Sequence, residues 1–537
     1  MNMTKRIVAL VMAAMMALSV FSGCKKDKEA GEQKKVSTEN VEKYFLYTEA
    51  EKLYCLDATT GKSTPIGLDF QVEQVESALV CDDSTKMVAR VKKLGQEFYG
   101  LIYWDGKSGD AKYLGDNTQL ARMSKDGKYI WYEENPEKSG TLYCYDVNKG
   151  KSVKIVENMQ TVTVSEDGTY AFVGSYKLTG EKDPATGEDQ VAGVVCYASC
   201  NGTVREITGH AGDALTIMPN RCNVSQDCSA VCYINTEEQD PEFQRNSQVY
   251  VWTKMGGEKK LPFMASSIQM FAPDQIYYQK ETKDGFSHYY YDGAESYLLA
   301  ENGRDHGHKV SNYLYYYLAR DNGGYKQYVA YKGKVIETSI LCCPIRGNMA
   351  FVSRDGRSFY GIKEGAMYQV HLDKDGTLTE KKLYDSPIED FSPRAATVYN
   401  ETMRTLSEEA LYLNDKLIAE GVTGAVLSMD GKHLTYEKNG ELIHYTDGKT
   451  TAYSMEEIPD SYYTAQNGRL VCLEKSGRLT IFDTAKEKQK IATVGENVTG
   501  IIMVETWGCS DWVDFVLNVE RTGVWFHRDH TAMCWRW

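Results

Sequence analysis

A serine, a spacer and an aspartate recur along this chain, each time just ahead of a short apolar-alternating run. They stand as Ser124-Lys125-Asp126-Gly127, Ser165-Glu166-Asp167-Gly168, Ser225-Gln226-Asp227, Ser353-Arg354-Asp355-Gly356 and Ser428-Met429-Asp430-Gly431. The aspartates lie 41, 60, 128 and 75 residues apart. The first interval is one unit. The second is a unit with an insertion, placed at the polar stretch Leu178 to Gln190. The last two leave room for three and two degenerate units, and Ala272-Pro273-Asp274 and Ala465-Gln466-Asn467-Gly468 fit as such members. A second half-motif follows the first: a run ending in Asp, a few residues, then Gly-Lys. Leu56-Asp57 to Gly61-Lys62, Tyr145-Asp146 to Gly150-Lys151 and the shorter Thr446-Asp447-Gly448-Lys449 are instances. Asp-Gly closes a tight turn because Gly accepts positive φ and Asp bonds the local backbone.

Between these turns the runs are short, as in Tyr129-Ile130-Trp131-Tyr132, Leu142-Tyr143-Cys144-Tyr145 and Val249-Tyr250-Val251-Trp252. Short runs punctuated by turn residues are strands joined by hairpins. Helical periodicity is scarce, and its best stretch, Glu401 to Leu411, is weak. A repeat of about 40 residues holding four short strands is one blade of a propeller. The fold class expected is therefore all-β, a β-propeller. The S-x-D-G, L-Y-x-Y-D and G-K pattern resembles the TolB-like and WD40-like blades of bacterial exported proteins, over most of Tyr44 to Glu505. About ten units fit between Gln71 and Val498. Half a unit precedes them (Tyr44 to Ile66) and a lone strand follows (Gly500 to Val504). Pairing of that strand with the first half-unit would hide both edges. Eleven blades exceed the usual four to eight of one ring, so two tandem propellers are expected, residues 42–300 and 301–505; one large ring with insertions is the alternative. Residues 506–537 hold five of the eight tryptophans, two cysteines and no blade motif.

The N-terminus gives location. Met1 to Arg6 is short and basic, and Ile7 to Phe21 is an apolar run of fifteen residues. As a helix it would rise about 22 Å, short of the ~30 Å hydrocarbon core. This is a signal peptide pattern, residues 1–23. The run ends Val20-Phe21-Ser22-Gly23-Cys24, which resembles the bacterial lipobox; Phe21 departs from its usual Leu. The resemblance implies a diacylglycerol on the Cys24 thiol and cleavage just before it. Lys25 to Val41 is polar and charged, a tether that cannot bury enough apolar surface to order itself. The expected location is exported and lipid-anchored, on the outer face of the cell membrane or its periplasmic side. Loss of Lys5 and Arg6 with the leader takes the net charge from −14 to −16. That sign repels phosphate backbones, so nucleic acid is not an expected partner.

The chemistry-bearing residues read mostly as structure. With Cys24 lipidated, thirteen of the fourteen cysteines remain, an odd number. Cys196 and Cys200, like Cys228 and Cys232, are expected four apart in one strand, too far to bridge. Buried thiols are the preferred reading. Thr60-Gly61-Lys62-Ser63-Thr64 lacks the first glycine of a phosphate loop, since Leu56 stands there. His371 to Gly376 is similar to a calcium loop but has His371 at the first ligand and Lys382 in place of the bidentate glutamate; Asp373 and Asp375 are expected to form a turn. No repeated Trp supports a quinone cofactor and no G-x-S-x-G supports a peptidase. His306 with His308, and His527 with His530, are read as exposed loop residues. No cofactor or metal is expected. Tyr289, Tyr291, Tyr315 and Tyr317 are candidates for an aromatic binding surface, with core packing the commoner use of such runs. The expected function is a tethered, non-enzymatic binding or scaffold module for protein, peptide or glycan. The alternatives are a propeller hydrolase or lyase acting on an extracellular polymer, or a subunit of an envelope complex. The five aspartates Asp126, Asp167, Asp227, Asp355 and Asp430 are assigned to turns.

Overall fold

The computed structural model describes residues 43–506 and 514–518. Within that range it leaves out 137–139, 183–186, 188, 209–221, 226–227, 304–307, 310–314, 322–323, 332–333, 339–350, 353–357, 364–365, 374, 386–394, 400–401, 408–409, 414–415, 429–431, 454, 456–457, 466 and 484–489. The leader, Cys24 and the tether lie outside the described residues, as do most of residues 506–537.

Among the described residues the chain forms strands in ten sheets. Forty strands lie between Val72 and Gly495, ten sets of four in sequence order. The chain is a β-propeller. Blade 1 is completed from both ends of the described chain. Tyr44–Glu49, Lys52–Asp57 and Lys62–Pro65 supply three strands, and Val498–Met503 supplies the fourth. Leu46 pairs with Ile502 and Tyr47 with Ile501, antiparallel. The expected closure by a terminal strand is therefore present.

Blade 2 runs from Val72 to Gly115, blade 3 from Thr118 to Val156, blade 4 from Met159 to Thr208 and blade 5 from Cys222 to Ala265. Each is a four-stranded meander of strands a to d; blade 2 also takes up the short strand Glu505–Thr506, parallel to Val72–Val80. Ser267 to Thr338 forms one eight-stranded sheet, the size of two blades. The division expected near residue 300 falls inside it, where Gly303 and Ala319 share a single bridge. Phe351 to Asp385 (blade 8), Ala395 to Ala419 (blade 9), Val422 to Ala452 (blade 10) and Ser461 to Gly495 (blade 11) follow. Asp514–Asn518 adds a fifth strand beside Ala395–Tyr399. The stretch Glu401 to Leu411, weakly helical in pattern, instead contributes to a hairpin of Thr402–Ser407 and Ala410–Leu413. Pairing with a neighbouring strand overrides weak local periodicity there.

The core lies in the seams between successive blades. Side chains alternate along a strand, so each blade feeds two seams. In Tyr129–Glu134, Ile130 and Tyr132 pack on Leu79, Val88 and Leu101 of blade 2. Trp131, between them, packs on Val162, Ala171 and Val194 of blade 4. Its indole N–H donates to Gly168 O at 2.8 Å. The closing seam repeats this. Phe45, Tyr47 and Leu56 of blade 1 meet Val471, Leu479 and Ile481 of blade 11, together with Ile501. Arg469 of blade 11 donates to Ala58 O at 2.9 Å and pairs with Asp483 at 3.3 Å, which ties the first blade's second turn to the last blade. Two buried faces per sheet explain why successive residues such as Ile130, Trp131 and Tyr132 are all large and apolar.

Successive turns of the repeated motif are also bonded to one another. Asp82 N donates to Lys125 O at 3.0 Å, and Lys125 N to Glu166 O at 2.9 Å. The turns joining strands a and b of blades 2, 3 and 4 therefore share one end of the blades. The hairpins joining b and c sit at the opposite end. There the insertion of blade 4 extends the pair Tyr170–Lys182 and Asp189–Ser199 into a long projecting arm.

Candidate functional site

The recurring aspartates are the first residues to place. Asp126 accepts from Ser124 Oγ at 2.9 Å and from Lys128 N at 3.0 Å. Ser124 Oγ in turn accepts from Tyr129 N at 2.9 Å. Asp167 repeats the pattern with Ser165 Oγ at 2.7 Å and Thr169 N at 3.1 Å, and Ser165 Oγ accepts from Tyr170 N at 3.2 Å. Both serines are buried. These local bonds hold the Asp126 and Asp167 carboxyls below the usual carboxylate range, against a burial effect that pushes them up. Each carboxylate thus serves its own turn. Asp227, Asp355 and Asp430 lie outside the described residues. The serines Ser225 and Ser428 still accept from the amides five residues on, Ala230 N and His433 N, both at 2.9 Å.

Blade 2 carries a member that sequence reasoning missed. Cys81 Sγ donates to Asp83 Oδ1 at 2.9 Å and accepts from Lys86 N at 3.3 Å, while Thr85 N donates to Asp83 Oδ1 at 3.0 Å. Thiol replaces hydroxyl, and Ser84 stands where glycine stands elsewhere, at φ 57°. In blade 5 that position is Cys228, at φ 55°, so Cys228 belongs to the turn and not to the strand of Cys232. The left-handed region costs a non-glycine residue roughly 1–2 kcal/mol. The Ser84 hydroxyl is also buried with no hydrogen-bond partner. Ser84→Gly should therefore stabilise the chain by about 1–2 kcal/mol, read as a higher denaturant midpoint.

The tyrosine candidates divide. Tyr291 is buried and donates to Gly293 O at 2.6 Å. Tyr289 is half-buried and stacks on Tyr278, with ring centroids 5.0 Å apart. Both belong to the seam that also holds Phe263 and Ile268. Tyr315 and Tyr317 lie in the strand Tyr315–Asp321, and their side chains fall outside what is described. Asp373 and Asp375 form a turn, with Thr377 N donating to Asp375 at 3.0 Å.

Cys55, Cys81, Cys144, Cys196, Cys200 and Cys472 are free thiols, all but Cys200 buried. Burial, with a smaller push from Asp57, raises the Cys55 thiol to about 12, and burial chiefly raises Cys196 to about 11. Thiolate is the reactive form. Iodoacetamide should leave Cys55, Cys144 and Cys472 unmodified in the native chain and alkylate them after unfolding without reductant, as read by peptide mass spectrometry.

A polar cluster that the sequence did not suggest lies between blades 10 and 11. His433 follows the Ser428 turn, and His444 sits across from Thr435 in the adjacent strand. His433 Nδ1 and His444 Nε2 are 3.4 Å apart. His444 Nδ1 lies 2.9 Å from Tyr453 Oη. Thr464 of blade 11 donates to Thr435 at 2.7 Å. His444 and Tyr453 are each 3% exposed. Burial, then the charge of His433, lowers His444 to about 4, which keeps it neutral at physiological pH. Beside the cluster, a cavity of about 280 Å³ is lined by Leu442, Tyr453, Met455 and Ile458 among others.

No family model matches the chain, and no curated protein matches it. Solved structures do resemble it at low identity. An acylaminoacyl peptidase from Pyrococcus horikoshii is 16% identical, over 64% of this chain and 58% of that one, with a TM-score of 0.31. The β-propeller domain of the trilobed protease from Pyrococcus furiosus, described as having an open velcro topology, is 14% identical over 59% of this chain and 100% of the domain, with a TM-score of 0.29. TolB from Acinetobacter baumannii is 15% identical over 42% and 52%, with a TM-score of 0.22. This chain spans under two thirds of the length of the peptidase it matches. The fold rests on the strand pairings themselves, and no residue role is carried over from these proteins.

Proposed function

We propose that this chain is an exported lipoprotein, tethered through Cys24, whose propeller binds a protein, peptide or glycan at the cell envelope without transforming it. The observation that favours binding is at the end of blades 2 to 4 opposite the motif turns. Leu94 and Phe98 stand 45% and 41% exposed in the hairpin of blade 2, and Leu178 stands 63% exposed on the arm of blade 4. Large apolar groups held in water by rigid sheets are ready contacts for a partner. The carboxylates of Asp126 and Asp167, by contrast, are spent on their own turns.

The test is capture from envelope extracts with the full-length chain and with a Leu94→Ser, Phe98→Ser, Leu178→Ser variant. A partner retained by the first and lost by the second supports the reading; equal capture by both overturns this face as the binding surface. Degradation of a cell-envelope polymer by the purified chain would favour the hydrolase or lyase reading instead. The anchor is tested separately. Cys24→Ala should move the protein from the membrane pellet to the soluble fraction, and retention in the pellet after a carbonate wash would contradict lipidation at Cys24.

A further inference from the structure

We propose that His433 and His444 form a two-imidazole site for a divalent transition ion with zinc-like preference. The warrant is geometric. Two nitrogens each about 2.0–2.1 Å from a tetrahedral zinc ion stand roughly 3.3–3.4 Å apart. His433 Nδ1 and His444 Nε2 are separated by 3.4 Å, with their rings inclined at 63°.

The surroundings fit a ligand pair. A ligating imidazole commonly has its second nitrogen held by an outer partner that fixes ring orientation. Tyr453 Oη holds His444 Nδ1 in that way at 2.9 Å. Tyr453 is itself hydrogen-bonded to Thr435, which accepts from Thr464. His444 is thus oriented by a chain of bonds that leaves Nε2 facing His433. Space beside the pair depends on one residue. A Cβ added to Gly468, at φ 77°, would stand 3.0 Å from both Nδ1 and Cε1 of His433 and 3.3 Å from Cε1 of His444.

No group of three or more His, Cys, Asp and Glu side chains that could hold a metal is found among the described residues. An ion held by the two imidazoles takes its remaining ligands from water, from a further side chain or from a donor atom of a bound partner. Nitrogen donors without thiolate suit zinc, cobalt, nickel or copper over magnesium or calcium.

The experiment uses the metal-stripped full-length chain titrated with Co2+, whose visible absorption reports four-coordinate nitrogen and oxygen ligation. One equivalent should develop the band, and excess Zn2+ should abolish it. His433→Gln should lose that band and also lose the rise in unfolding midpoint that Zn2+ gives the unaltered chain. His433 is half-exposed, so this variant should fold, which circular dichroism checks; His444→Gln at the buried partner serves as the second variant. A His306→Gln, His308→Gln variant should keep the band. The proposal is overturned if the unaltered chain develops no band, or if His433→Gln keeps both the band and the Zn2+ response.

Discussion

Ile501→Asp should open the closing seam of blade 1. Ile501 is 8% exposed, pairs with Tyr47 across the closing ladder, and packs among Phe45, Val471 and Ile481. An aspartate there places a carboxylate among the apolar side chains of the seam. Burying a polar group without a partner costs a few kcal/mol, and the lost isoleucine packing costs a further ~2 kcal/mol or more. A loss of about 4 kcal/mol is expected. If the closing strand leaves its place, the free edge of Tyr44–Glu49 becomes a template for pairing with another chain. The measurements are a denaturant midpoint, light scattering, and limited proteolysis between residues 44 and 66. An unchanged midpoint would mean that the strand Val498–Met503 contributes little to closure. Hydrogen exchange at Tyr44–Glu49 should rise in the same variant.

Gly168→Ala should have the second large effect, and Gly150→Ala separates its causes. Both glycines adopt positive φ, 67° and 63°. Gly150 has open space where a Cβ would go, so its substitution tests backbone strain alone, about 1–2 kcal/mol. A Cβ on Gly168 would lie 2.7 Å from Ser124 Cβ and 2.9 Å from Tyr129 Cβ. Those atoms belong to the preceding blade's motif, which cannot move without breaking its own bonds to Asp126. Overpacking adds about 1–3 kcal/mol to the strain. The expected result is a loss of roughly 2–5 kcal/mol for Gly168→Ala by chemical denaturation. Equal midpoints for the two variants would show that the motif turns do not pack as tightly as their separation implies.

The contrast between these turns and the histidine cluster shows what a sequence can carry. Ser124, Asp126 and Gly127 are legible because one turn supplies every partner, and the same chemistry recurs at a readable spacing. Cys81-Asp82-Asp83-Ser84 makes the same bonds with a thiol for the hydroxyl and serine for glycine. A search for residue types passes over it, because geometry and not identity is what repeats. The helical reading of Glu401 to Leu411 fails for a related reason: a pattern of a few apolar positions fits either period until a partner strand selects one. His433, His444 and Tyr453 are further still from local reading. Their meeting depends on the register that sets Thr435 opposite His444 and on the next blade bringing Thr464 and Gly468 against them. The closing strand is legible because the series of fours leaves an incomplete unit before it and a lone strand after it, a matter of counting.

Blade 1 has a consequence for how this chain folds as it is made. Its first three strands emerge first, and the strand that completes them is made some 430 residues later, at Val498–Met503. Tyr44–Glu49 must therefore wait for its second partner strand throughout nearly all of synthesis. Pairing across such a sequence distance is slow, because loop closure precedes any contact that rewards it. Interior blades can assemble one upon another as they appear, whereas the first waits for the last. A chain released early, lacking residues beyond about 497, would carry most of its blades in place and an open edge at Tyr44–Glu49. Closure of blade 1 is thus timed by the strand Val498–Met503, and a holding factor that shields the first hairpin would act during that whole interval.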